Sequence, residues 1–319
     1  MQFNVFPHDS KFDFMRLRWV SIGLSVILLL VSLGAMVAQG FNFALDFTGG
    51  TSVELRFERP ADVDAVRQRL ADAGFEGAQV QTFGSGNDLL VRLQPREGAA
   101  DATEGGDSSQ TAEEVVHIVS TQENPATRLS SGYVGPQVGK ELAQNGVYAM
   151  LFVVIGFLAY ISFRFEWKFA VAAILSTMHD IIVVAGWFAV TGHEFDLTVL
   201  AGIMGVMGFS INDTIVVFDR VRENFRGVRA PAREILNSSI NQTLSRTVIT
   251  SFVALLTTLA LYLYGGGSLQ GMAESMMIGI VIGTLSSIFV ACPLLMWLGV
   301  SKQDLMPKSR DDSALARRP

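Results

Sequence analysis

The sequence predicts an all-α membrane bundle of six transmembrane helices carrying one α+β domain between the first and second helices. Half of the 319 residues are hydrophobic and 17% are charged, against about a quarter charged in a soluble domain. Mean hydropathy is positive, at +0.37. The charges crowd into Phe41–Gln144 and the short loops, which separates the chain by solvent. Six apolar runs approach the roughly 20 residues a helix needs to cross hydrocarbon with its backbone polar groups satisfied internally.

Those runs are Trp19–Ala38, Val147–Phe163, Phe169–Thr191, Leu197–Phe218, Thr247–Tyr264 and Met276–Val300. Arg16 and Arg18 before the first give it the look of a signal peptide, but the run is long and Val37-Ala38-Gln39-Gly40 is a weak cleavage site, so it reads as an uncleaved anchor. Lysine and arginine bias sets orientation. Lys11, Arg16, Arg18, Arg164, Lys168, the Arg220–Arg233 group, Lys302, Lys308 and Arg310 fall on one side of a six-span chain. Both termini are therefore expected in the cytoplasm of a bacterium bounded by its inner membrane. The expected divisions are a tail over 1–18, span one over 19–38, an extracytoplasmic domain over 39–144, spans two to six over 145–300 with a cytoplasmic basic loop at 219–245, and a tail over 301–319.

Within 39–144, Thr51–Phe57 alternates apolar and polar residues as a half-buried strand does. Pro60 opens a helix with Val63, Val66 and Leu70 on one stripe and Gly74 as its stop. Ala78–Phe83 and Asp88–Gln94 are strands joined by the hairpin signal Gly84-Ser85-Gly86-Asn87. Residues 95–110 form a polar, flexible insert. Thr111–Ser120 is helical, with a capping box from Thr111 and Glu114, and Thr127–Val134 is extended. The order β-α-β-β-α-β is that of a ferredoxin-like unit, which supplies a sheet face and says little of function.

Net charge of −6 argues against nucleic acid as a partner. The lone Cys292 excludes an internal disulfide and a thiolate metal site. His117 has no nucleophile or ligand partner at a useful spacing, and Gly265-Gly266-Gly267 lacks the context of a phosphate loop. No enzyme activity, cofactor or metal is expected.

Ionisable residues inside the spans are the candidates for function, because a charge in lipid must be neutralised, paired or wetted. Asp213, in Ser210-Ile211-Asn212-Asp213, sits about five residues, or roughly 8 Å, before the expected end of span four. Desolvation favours its neutral acid and a nearby arginine its carboxylate, so two sliding helices could load and release a proton. Arg246, at the expected head of span five, is the candidate cation. The structural alternative makes Asp213 a hydrogen-bonding residue near the interface and Arg246 part of the basic rim. His179 and Asp180, near the middle of span three, are either a second relay station or a helix-packing pair, with Asn212 in the same group. Asp219 reads as an interfacial salt-bridge or cap residue and Glu274 as an entrance carboxylate or a solvated helix start. Gly202, Gly205 and Gly208 thin one side of span four for close helix approach.

Several motifs together resemble the SecF family of the bacterial Sec protein-export machinery, relatives of the resistance-nodulation-division transporters. They are Asp46-Phe47-Thr48-Gly49-Gly50-Thr51, Val134-Gly135-Pro136 with Val138–Leu142, Gly208–Thr214 with Phe218–Asn224, and Ser239–Thr247. The resemblance implies a complex with SecD, the SecYEG channel and YajC among membrane lipids, promoting late preprotein export with the proton motive force. It also implies that Asp213 and Arg246 occupy the family's proton-pathway positions, with a partner aspartate on SecD. The insert at 95–110 is longer and more polar than the family pattern. A half-unit of a small-molecule or lipid efflux transporter and a purely structural translocon subunit are the competing readings.

Overall fold

A computed structural model describes residues 12–75, 78–83, 86–93 and 106–302. Among these, six helices are long and apolar enough to cross a membrane: Phe14–Ala38, Gln137–Arg164, Trp167–Thr191, Leu197–Gly227, Ala232–Tyr264 and Leu269–Trp297. The elements in chain order are α1 (Arg18–Ala38), β1 (Asn42–Phe43), α2 (Leu45–Thr48), β2 (Gly50–Phe57), α3 (Val63–Asp72), β3 (Gln79–Phe83), β4 (Asp88–Leu93), α4 (Gly106–Val119) and β5 (Ala126–Val134). They continue with α5 (Pro136–Arg164), α6 (Trp167–Thr191), β6 (Glu194–Phe195), α7 (Leu197–Gly227), α8 (Ala232–Tyr264), α9 (Gly267–Ser286), a π turn (Ser287–Ala291) and α10 (Cys292–Trp297).

The inserted domain is the expected ferredoxin-like unit, an antiparallel sheet in the order β3-β4-β2-β5. Alternation in β2 sends Val53, Leu55 and Phe57 to one face, where they meet Leu89, Val91 and Leu93 of β4 and the stripes Val66, Leu70 of α3 and Ala112, Val115, Val119 of α4. Two helix starts differ from expectation. Asp62, not Pro60, opens α3, because its carboxylate accepts from the backbone N–H groups of Asp64 and Ala65. Helix α4 begins at Gly106, so Thr111 is interior rather than a cap, and the last five residues of the expected insert are helical. The insert from 95 to 105, Gly84, Ser85 and both chain ends lie outside the described residues.

The cytoplasmic loop expected over 219–245 is mostly helix, leaving only 228–231 between α7 and α8. Helical spacing persists beyond the apolar runs: Val217, Val221 and Phe225 of α7 and Ile235, Leu236, Ile240 and Leu244 of α8 are buried in one core. Likewise α5 starts at Pro136 and α9 at Gly267, well ahead of the expected Val147 and Met276. Helices α6 and α7 are about half or more buried, whereas α1, α5 and α8 expose large apolar side chains such as Leu24, Ile27, Phe152, Ile155, Phe252 and Leu256. Those faces suit lipid or another membrane protein.

At the base of the inserted domain, β1 pairs in parallel with β6, placing Asn42 beside Glu194 and Phe43 beside Phe195. Phe41, Phe43, Phe47 and Phe195 stack around this junction with ring centroids 4.9–6.2 Å apart. The turn between α6 and α7 is thereby joined to the segment that leaves α1.

Candidate functional site

Helices α7 and α9 come together because glycine leaves room between them. A Cβ at Gly202 would lie 2.9 Å from the Met272 carbonyl oxygen, one at Gly279 would lie 2.8 Å from Val206 Cβ, and one at Gly283 would lie 3.1 Å from Ser210 Cβ. Of the three glycines expected to thin α7, only Gly202 enforces this approach; Gly205 has Met276 at 3.7 Å and Gly208 faces Phe157 of α5 at 4.0 Å.

Close packing gathers polar side chains of α6, α7, α8 and α9 near the middle of their membrane spans. Asp180 is fully buried on α6, and its Oδ2 accepts from Ser210 of α7 at 2.5 Å and Ser286 of α9 at 2.7 Å. Its Oδ1 lies 2.9 Å from His179 Nδ1, while His179 Nε2 is buried with no hydrogen-bond partner among the described residues. A neutral imidazole that donates from Nδ1 to Asp180 leaves Nε2 as a bare acceptor. The two expected residues are brought together, and the arrangement ties three helices to one carboxylate. Immediately after Ser286 the last span takes its π turn, a widening that recurs at functional sites.

One turn along α7 from Ser210 lies Asp213, 2% exposed. It sits near the middle of α7 rather than five residues from its end, because the helix runs on to Gly227. Its neighbour is Ser251 of α8, whose Oγ is 3.5 Å from Asp213 Oδ2, 2.7 Å from the Thr247 carbonyl and 2.7 Å from Thr284 Oγ1 of α9. A hydroxyl has one hydrogen, so Ser251 donates either to the Thr247 carbonyl or to Asp213. That choice makes the carboxyl's hydrogen bonding adjustable by a small helix shift.

Arg246 lies near the middle of α8 and not at its head, since α8 begins at Ala232. Its side chain is exposed and its charge acts on Asp213 across space, with no ion pair between the two among the described residues. Asn212 of α7 is also exposed. An exposed arginine and an exposed asparagine at mid-helix are each costly against lipid, so each calls for water or a second polar surface.

Other expected positions fall elsewhere. Asp219 pairs with Arg164 at 3.0 Å, as an interfacial salt bridge should. Glu274 is inside α9, accepting from Trp187 Nε1 at 2.7 Å and lying 2.8 Å from His193 Nδ1, so it is a partnered carboxylate rather than a solvated helix start. His117 is exposed on α4. The sequence reading passed over Ser251, Thr284 and Ser286; hydroxyls inside apolar runs were their only signal, and such residues commonly bond to their own helix.

A family model described as "Protein export membrane protein SecD/SecF, C-terminal" matches residues 114–301, and one described as "SecD/SecF GG Motif" matches residues 34–61. The chain is 45% identical to protein translocase subunit SecF of Pseudomonas aeruginosa over 302 residues, covering 94% of this chain and 96% of that protein. It is 42% identical to SecF of Escherichia coli O157:H7, covering 94% and 92%. Against protein translocase subunit SecDF of Brucella abortus it is 37% identical, over 98% of this chain and 40% of that protein. A crystal structure of SecDF from Thermus thermophilus, a translocon-associated membrane protein, superposes with a TM-score of 0.81 at 38% identity, over 92% of this chain and 39% of that one. The six-span order and these near full-length matches agree: the chain belongs to the SecD/SecF family of protein-export membrane proteins, on its SecF side.

Proposed function

We propose that this chain is the SecF-type half of a proton-driven machine that promotes late stages of preprotein export across the bacterial inner membrane. The observation that carries this reading is Asp213, a buried carboxyl at mid-helix with one long, switchable hydrogen bond and an arginine on the neighbouring helix. The second half is a SecD-type subunit, which would cover the exposed mid-helix residues Arg246 and Asn212. Support comes from the SecDF relative, in which this chain's match accounts for 40% of the protein. The SecYEG channel, YajC and the emerging preprotein complete the assembly, and both termini face the cytoplasm with the basic residues at 164–168 and 220–233.

Asp213 takes a proton when Arg246 is distant and releases it when the arginine draws close, since a neighbouring cation favours the carboxylate and a dry site the acid. Each change alters what Ser251 and Thr284 bond to, and so how α7, α8 and α9 fit. Moving one charge through a 100 mV potential supplies about 2.3 kcal/mol, enough to repack a small interface. Asp180 and His179 lie one turn along the same face of α7, as a second relay station or a helix-packing pair, and the bonds from Ser210 and Ser286 to Asp180 hold the helices together.

Purification of the tagged chain in mild detergent tests the reading. Recovery of a SecD-like subunit and channel subunits, with Asp213→Asn retaining them while export in cells falls to the level of a deletion strain, is the expected result. An Asp213→Asn strain that exports as the parent does leaves only a structural role. Drug sensitivity of the deletion strain without an export defect favours efflux.

A further inference from the structure

Arg92 is the penultimate residue of a central strand, β4, opposite Ser52 of β2 and Gln79 of β3. Its neighbours Val91 and Leu93 point into the domain core, so Arg92 stands on the sheet's other face. There it is 5% exposed and ion-paired with Glu194 of β6, in the turn between α6 and α7. Asp46 and Asp196 also act on it through their charges. Burial pulls the guanidinium down to about 10, with Asp196 and Asp46 opposing, so it is a cation at neutral pH.

The same two aspartates hold the first turn of α7. Asp46 Oδ2 accepts from the Leu197 N–H at 3.2 Å, and Asp196 Oδ1 accepts from the Val199 N–H at 2.7 Å and the Thr198 hydroxyl at 2.8 Å. Asp46 and Asp196 repel one another at this half-buried junction, and Arg92 is the cation that the domain places beside them and Glu194. An arginine this buried is a costly choice unless its pairing fixes an orientation. The β1–β6 pairing, the aromatic cluster around Phe195 and the chain entering α5 also tie the base of the domain to the bundle, whereas Arg92 reaches the same turn from the four-stranded sheet itself.

We infer that Arg92 is a positioning residue that fixes the extracytoplasmic domain to the head of α7, so that movement of the helix carrying Asp213 is delivered to the domain. Asp213 lies 16 residues along α7 from Leu197, about 24 Å at 1.5 Å per residue, and a packed helix transmits displacement over that length. This inference rests on the proton-driven reading above.

The test uses inner-membrane vesicles holding the full complex and a purified secretory preprotein, with Arg92→Gln, Arg92→Lys and Asp213→Asn. Three quantities are measured: gradient-stimulated export, proton entry during export from a pH-sensitive dye, and protease resistance of the extracytoplasmic domain. Arg92→Gln should lose gradient stimulation by about fivefold or more, as expected for loss of a buried ionic partner, while proton entry and protease resistance stay within about twofold of the parent. Arg92→Lys should keep most of the stimulation. If Arg92→Gln does not accumulate, Glu194→Gln on the turn is expected to give the same split. Parent-like export in Arg92→Gln, an equal loss in Arg92→Lys, or proton entry lost together with export overturns the inference. Parent-like stimulation in Asp213→Asn instead removes the proton-driven reading, while Arg92 is still judged by its own glutamine and lysine variants.

Discussion

Replacing Gly279 by alanine puts the contact between α7 and α9 under a direct test. The added Cβ would sit 2.8 Å from Val206 Cβ and closer still to its two methyl groups. Apolar carbons prefer about 3.5–4.0 Å, so the helices must separate by roughly 1 Å. Overpacking of this kind costs about 1–3 kcal/mol. A control is available on α5, where a Cβ at Gly156 meets nothing within 4 Å. Alanine also raises helix propensity by about 1 kcal/mol at either site, and that gain cancels between the two variants. Gly279→Ala should therefore be about 1–3 kcal/mol less stable than Gly156→Ala, measured by reversible denaturant unfolding in mixed micelles. Its displacement of α7 should also lengthen the 2.5 Å bond from Ser210 to Asp180, weakening export more than Gly156→Ala does. Equal stability of the two variants would refute the claim that glycine sets the spacing of α7 and α9.

Leu70 of α3 is fully buried in the inserted ferredoxin-like domain, so Leu70→Ala should cost that domain about 2–5 kcal/mol; faster hydrogen exchange in β2 and β4, with α6 and α7 unchanged, is the expected readout. Arg56 donates to both oxygens of Asp88, at 2.8 and 3.0 Å, and these hydrogen bonds hold the Asp88 carboxyl below its ordinary 3.8. A carboxyl depressed in the folded state stabilises above its unfolded value, and that contribution disappears as pH falls through the folded one. Arg56→Gln should thus speed exchange in β2 and β4 at pH 7, modestly because the Arg56 side chain is exposed even though Asp88 is buried, with the difference from the parent closing as the pH drops below 3.8.

The six spans were legible because a bilayer imposes one length and one composition, and the domain because its strands alternate and its helices keep an apolar stripe. Helix ends were not, since apolar runs register lipid contact alone. The turns of α7 past Phe218 and of α8 before Thr247 are held by Val221, Phe225, Ile235 and Ile240 packing on one another, a contact between helices that no single run displays. That hidden extension is also why Arg246 lies at mid-helix. In the site, Asp213, Asp180 and His179 stood out because charges are rare in apolar spans. Ser251, Thr284 and Ser286 did not, because a hydroxyl satisfied by its own helix costs little and only the fold shows which ones turn toward a carboxylate. Arg92 and Glu194 are a hundred residues apart, and the pairing of β1 with β6 is what joins their surroundings.

The most direct test of the proton coupling is the rate of preprotein export in sealed vesicles, with and without an imposed proton gradient, for the parent and Asp213→Asn at matched complex levels. The parent should accelerate when the gradient is applied and the asparagine variant should show the same slow rate in both conditions. An asparagine variant that accelerates as the parent does would contradict the account.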